Sequence, residues 1–281
     1  MTDTTRRTLL ALAVAATPTL LAGAAGAQSA PSGSAPLPGA GRAAIITGSS
    51  RGIGAATARR LARDGYGVTV NFLTNRDLAA QVVRDIEAAG GRAIHHQADV
   101  ADPAAVSALF DVNAEAFGGV DVVVSNAGIM NTDPFATMSE AAFDRMMATN
   151  VKGTFNVLRE AARRVRDGGR IVTLGSTIVL QCPAACGPYA ASKSAQEMFA
   201  SALAKELAGR RISVNAVAPG AVDTDLLRGK GSPEQLQAAA AMTPYGRLGL
   251  PEDIAEVIAS LCSSSGEWIN GQVVFANGGL Q

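Results

Sequence analysis

From position 42 onward, short apolar runs suited to strands alternate with stretches whose apolar residues recur every three or four positions. The runs are AAIIT (43–47), VTVNF (68–72), AIHHQ (93–97), VDVVVS (120–125), RIVTLG (170–175), ISVNAVA (212–218) and QVVFA (272–276). AATARRLARDG and AVSALFDVNAEAFG carry the intervening helical pattern. Strands that are apolar throughout are buried on both faces, and helices between them supply the cover. The pattern predicts an α/β fold in a single domain over residues 42–281: a doubly wound parallel sheet of about seven strands flanked by helices.

The first 41 residues follow another pattern. Arg6 and Arg7 precede an apolar run broken by Pro18 and Gly23, and Ala25-Gly26-Ala27 offers small residues for cleavage. This is the layout of an export signal over residues 1–27, and TRRTLL is similar to the receptor-read twin-arginine type. A run so interrupted makes a poor stable membrane span. QSAPSGSAPLPGAG, residues 28–41, is uncharged and rich in Pro, Gly and Ser, which predicts a flexible linker. The expected location is therefore the periplasm or outside the cell, with a cytoplasmic enzyme bearing an N-terminal extension as the alternative.

The chain of 281 residues is 48% hydrophobic, enough for a full core, and its 24 basic and 24 acidic residues give no bias toward nucleic acid or an anionic membrane. The two histidines, His95 and His96, are adjacent in a predicted strand and point to opposite faces. Cys182, Cys186 and Cys262 lack zinc-type spacing, so no metal site is expected. Cys182 and Cys186 read as small apolar fillers, or as a disulfide across Pro183.

The first strand runs directly into TGSSRGIG (47–54) and then a helix. Glycines 48, 52 and 54 allow a tight turn, close approach of a pyrophosphate and packing of helix on strand, while the helix N-terminus offers free N–H groups to phosphate. Strand, glycine turn, helix and second strand together predict dinucleotide binding. After the second strand comes Asn71-Phe72-Leu73-Thr74-Asn75-Arg76, with no carboxylate before Asp77. Arg51 and Arg76 are in reach of a 2′-phosphate, which favours NADP (NADPH) over NAD.

Tyr189 and Lys193 are four residues apart, and Pro188 suits the start of a helix, so both side chains share a face. Bringing a phenol from a pKa of about 10 to about 7 takes roughly 4 kcal/mol, which one ammonium at about 4 Å supplies at an effective dielectric near 20. The pair is a candidate acid/base device, although Tyr and Lys at this spacing are by themselves most often a half-buried ring and a solvated amine.

Thr47-Gly48-x-x-x-Gly52-x-Gly54, Asn126-Ala127-Gly128, Asn150, Ser176, Tyr189-x-x-x-Lys193 and Pro219-Gly220 together resemble the short-chain dehydrogenase/reductase family over residues 42–279. The resemblance implies a Rossmann fold and an NAD(P)-dependent oxidoreductase acting on CH–OH groups. It also implies that Tyr189 is the acid/base, Lys193 lowers its pKa and binds the nicotinamide ribose, and Ser176 bonds the substrate oxygen. Asn150 would hold a water in a proton relay from the lysine to solvent. On the cofactor side it implies Gly48, Ser50, Arg51, Gly52, Ile53 and Gly54 of the loop, and Phe72 and Arg76 after it. Asp99 and Val100 would border the adenine, Asn126, Ala127 and Gly128 would line the cofactor, and Pro219, Gly220, Val222 and Thr224 would flank the nicotinamide. A homo-oligomer, dimer or tetramer, is expected. Asn126 is preceded by Ser125 where the family usually has a second Asn.

The expected substrate is a small or medium ketone or aldehyde, or the matching secondary alcohol, in a pocket offering Met130, Ile178, Leu180, Leu226, Leu227 and Met242. A 3-oxoacyl thioester reductase and a non-catalytic NADP sensor are the alternatives, the first because TyrGlyArgLeuGly at 245–249 followed by Pro251-Glu252-Asp253 is similar to that group. Residues 224–245 are expected to form a mobile lid, with a short helix after Ser232 as its N-cap.

Overall fold

The computed structural model describes residues 37–280. The predicted export signal and residues 28–36 of the predicted linker lie outside the described residues. Residues 37–41 turn against the folded domain: Gly39 N donates to the Asp64 carbonyl at 2.8 Å. A Cβ at Gly39 would stand 2.2 Å from the Tyr66 ring, so only a glycine fits there.

In chain order the elements are β1 (Ala43–Ile46), α1 (Gly52–Arg63), β2 (Gly67–Phe72), α2 (Arg76–Ala88), β3 (Arg92–Gln97), α3 (Pro103–Phe117), β4 (Val120–Ser125) and α4 (Glu140–Met147). A π-helical turn (Ala148–Lys152) joins α4 to α5 (Gly153–Arg164). Then follow β5 (Val165–Leu174), α6 (Ile178–Gln181), α7 (Gly187–Glu206), β6 (Ser213–Pro219), α8 (Asp225–Arg228), α9 (Pro233–Ala241), α10 (Pro251–Cys262) and β7 (Val273–Ala276).

All seven strands pair in parallel in the order β3-β2-β1-β4-β5-β6-β7. Alternate side chains feed two cores. Ala44, Ile46, Val122 and Val124 meet Leu61 of α1, Val82 and Ile86 of α2, and Ile254 and Ile258 of α10. Ile45, Val123 and Ile171 meet Leu109 and Phe110 of α3, Val157 of α5 and Leu203 of α7. Each central strand is thus buried on both sides, which is why its sequence is a continuous apolar run.

β5 begins earlier than the sequence predicts. Val165 pairs with Val120, the register shifts before Val122 meets Arg170, and the polar Arg166-Asp167 between them hides the strand's start. The chain reverses its direction of progress across the sheet between β1 and β4, and at such a switch point the carboxyl ends of the strands leave a crevice. Among the described residues no helix is long and apolar enough to cross a membrane.

Candidate active site

Two adjoining cavities open at the carboxyl ends of the strands and share Ile53, Asn126, Gly128, Thr224 and Leu226 as walls. The one beside β1, β2 and β3 measures about 300 Å³. Its lining includes Gly48, Ser50, Arg51, Gly52, Ile53, Gly54, Phe72, Asp99, Val100, Ala127 and Thr224, all expected from the sequence. Arg76 opens α2 on the exposed surface and is not among the lining residues. Asn71, Thr74, Asn75, Ala98, Thr149 and Asp225 also line it and were not singled out.

The glycine loop is held from both sides by amides. Asn71 Oδ1 accepts from Gly48 N at 3.0 Å while its Nδ2 donates to the Ala98 carbonyl at 3.0 Å. Asn126 Nδ2 donates to the carbonyls of Thr47 at 2.8 Å and Gly48 at 3.0 Å. Thr47 Oγ1 accepts from the N–H groups of Asn126 and Ala127, each at 3.0 Å. A Cβ at Gly54 would lie 2.5 Å from Asn126 Nδ2, so the staple requires a glycine there. Gly48 has φ +61, where other residues are strained. No side chain caps the N-terminus of α1, whose first residues line the cavity. That end is a ready site for phosphate.

The second cavity, about 410 Å³, is lined by Ser176, Tyr189, Lys193, Pro219, Gly220 and Val222 together with Met130, Ile178, Leu226, Leu227 and Met242. Gln181, Pro183 and Ala239 join them from the segments 178–185 and 223–245 expected to form the pocket, and Leu280 joins them without having been expected. Leu180, expected in the pocket, is 65% exposed and is not among the lining residues. Lys193 is the one ionic residue in this lining.

Pro188 sits in the first turn of α7, so Tyr189 and Lys193 leave the start of one helix on one face. Lys193 Nζ lies 5.9 Å from the centre of the Tyr189 ring. It donates to the Leu174 carbonyl at 2.7 Å and to Gln196 Oε1 at 2.9 Å. Burial brings the amine down to about 8, with Glu197 opposing. The Tyr189 phenol stands above its ordinary value, first through burial and then through the neighbouring Cys186 thiol. The expected acidic phenol is therefore not a property of the side chains alone. Burial, not the lysine's charge, sets the direction of the phenol's shift.

Ser176 sits at the start of the segment that leads into α6. Its Oγ accepts from Ile178 N at 3.3 Å and its N–H donates to Glu197 Oε1 at 3.3 Å. Burial raises the Glu197 carboxyl, while the Ser176 N–H and Lys193 act the other way. Asn150 lies in the π-helical turn, fully buried. Its Oδ1 accepts from Ile129 N at 2.9 Å, and its Nδ2 donates to the Ile129 carbonyl at 2.8 Å and to Ser192 Oγ at 3.0 Å. It clamps the segment after β4 to α7 from a turn of the kind often found at functional sites.

Cys182 and Cys186 are both free thiols, the first exposed and the second buried. α9 starts at Pro233 with Ser232 as its N-cap, as the sequence predicts, and Gln235 completes a capping box.

A family model described as enoyl-(acyl carrier protein) reductase matches residues 48–281. A short-chain type dehydrogenase/reductase of Picea abies is 42% identical over 249 residues, 85% of this chain and 92% of that protein. An NADPH-dependent aldehyde reductase 2, chloroplastic, of Arabidopsis thaliana is 42% identical over 261 residues, covering 88% and 96%. The crystal structure of a short chain dehydrogenase from Burkholderia cenocepacia in complex with NADP superposes with a TM-score of 0.82 at 39% identity, over 88% of this chain and 99% of that one. With seven parallel strands, a glycine-turn cleft at their switch point and relatives aligned over nearly their whole length, the chain belongs to the short-chain dehydrogenase/reductase family.

Proposed function

We propose that this protein is an NADPH-dependent reductase of a neutral ketone or aldehyde, running in reverse as a dehydrogenase of the matching alcohol with NADP. The observation that carries this reading is the convergence of Ser176, Tyr189 and Lys193 on one largely apolar cavity that adjoins the glycine-loop cleft. The uncapped end of α1 and the Asn71 and Asn126 staples fit a dinucleotide pyrophosphate, and the solved relative named above holds NADP.

When bound, NADPH supplies the hydride; the rest of the chemistry belongs to the chain. Tyr189 donates the proton to the carbonyl oxygen as negative charge develops there. The Ser176 hydroxyl hydrogen-bonds that oxygen, so two donors meet the developing charge beside the apolar walls Met130, Ile178, Leu226 and Met242. Lys193, charged below its pKa of about 8, favours the phenolate that remains. A lining with no other ionic residue suits a neutral substrate.

A panel of neutral ketones and aldehydes with NADPH tests this, using wild type and Tyr189→Phe. The variant should lose at least about 10²-fold in kcat/KM and keep its NADPH affinity, since only the proton donor is removed. Undiminished turnover in Tyr189→Phe would exclude the phenol as the acid. Tight NADPH binding without turnover of any compound would instead favour a cofactor sensor.

A further inference from the structure

Gln196 is 1% exposed and follows Lys193 by three residues on α7, so the two side chains share a face. Its amide is fully engaged. Oε1 accepts from Lys193 Nζ at 2.9 Å, and Nε2 donates to the backbone carbonyl of Asn150 at 2.7 Å and to Thr154 Oγ1 at 2.9 Å. The partners dictate the orientation, because an ammonium can only donate and a carbonyl can only accept.

We propose that Gln196 is a positioning residue for Lys193: it keeps the ammonium charged and fixed beside Tyr189, and it occupies the Asn150 carbonyl toward which the proton relay expected from the family resemblance would run. The consequence for catalysis rests on the reductase reading given above. A carboxamide neither gains nor loses a proton near neutral pH, so this link passes on position and polarity rather than protons.

Gln196 Oε1 and the Leu174 carbonyl accept from the Lys193 ammonium, and Glu197 supports its charge. Tyr189 and Glu197, both on α7, are its titratable neighbours. β5 contributes the Leu174 carbonyl, the π-helical turn and α5 contribute the neutral Asn150 and Thr154, and the segment after β4 approaches with Gly128. Lys152 on the π-helical turn is exposed.

The test is a titration of protein labelled with ¹³C at lysine Cε, which is tractable because Lys152, Lys205 and Lys230 are the other lysines in the sequence. The buried signal is assigned by its disappearance in Lys193→Met. Gln196→Leu should lower the Lys193 midpoint by about one pH unit, a tenfold loss of proton affinity, as a hydrogen bond to a charged group is lost. Gln196→Glu should move it the opposite way, which keeps the test decisive if the leucine variant folds poorly. Thr154→Val removes the amide's other side-chain partner without touching the lysine and should leave the midpoint in place. In turnover, the pH limb of kcat/KM should follow the midpoint in each variant. An unmoved Lys193 midpoint in both Gln196 variants, or an equal shift in Thr154→Val, would overturn the proposal. Absence of turnover in wild type would remove the reductase reading alone, because the lysine titration needs no substrate.

Discussion

Lys193 shows how one buried side chain links stability to chemistry. Its amine titrates at about 8 in the folded protein and near 10.5 in the unfolded chain, with burial as the main cause. Between those values the unfolded state holds a proton that the native state has released, so this residue's contribution to stability rises with pH. Below about pH 8 both states are charged and the burial penalty is complete. The stability of wild type relative to Lys193→Met should therefore increase by about 1 kcal/mol from pH 8 to 9. Urea unfolding of both proteins at the two pH values checks it. Cys262 and Tyr66, each pushed up to about 12 chiefly by burial, lose stability at alkaline pH, but they cancel in the difference. A difference that stays flat or falls would mean that Lys193 titrates in its ordinary range.

At the scale of elements, the start of α1 and the short helix α8 meet through an ion pair. Arg51 precedes α1 and lines the smaller cavity, and its Nη1 stands 3.3 Å from Asp225 of α8, with both side chains exposed. Such a pair is worth about 0–1 kcal/mol, little enough for a ligand phosphate to displace. Arg51→Ala should weaken NADPH binding about tenfold through loss of a charge-assisted contact, while Arg76→Ala changes it less than about twofold, and neither affects NADH. Fluorescence titration with both cofactors decides the point; equal losses for NADPH and NADH would refute a 2′-phosphate contact. In the same region, Ser232→Ala removes the capping box of α9 at a local cost of about 1 kcal/mol. Hydrogen exchange across residues 233–241 should accelerate roughly fivefold. NADPH with substrate should slow exchange across residues 224–245 in wild type, and no slowing would make the segment an ordinary surface loop.

For the whole molecule, we propose export in the folded, cofactor-loaded state, carried by Arg6 and Arg7 ahead of the apolar run and followed by cleavage near Ala27. A dinucleotide is acquired where it is made, and a route for folded proteins would carry it across. Replacing Arg6 and Arg7 by Lys preserves charge and removes the receptor-read pair, so the variant should remain in the cytoplasm at full length while wild type reaches the periplasm. Cell fractionation with mass measurement of the product separates the two. Retention of both proteins at full length would favour the cytoplasmic alternative.

The seven strands, α7 and the glycine turn were legible in the sequence because each depends on neighbours a few positions apart. Apolar runs such as VDVVVS announce burial on two faces, Pro188 announces a helix start, and Ser232 announces a cap. Tyr189 and Lys193 likewise share a face by helical spacing alone. The rest was decided by contacts across long stretches of chain. Gln196 meets the Asn150 carbonyl 46 residues away, Asn126 reaches Thr47 across 79, and Leu280 near the C-terminus walls the larger cavity. Spacing could not separate Arg51, which faces the cleft, from Arg76, which faces solvent. It also could not set the basicity of Tyr189 and Lys193. That depends on how completely the folded core removes water from both groups and which carbonyls replace it, a quantity that exists only once the sheet and its helices have closed around them.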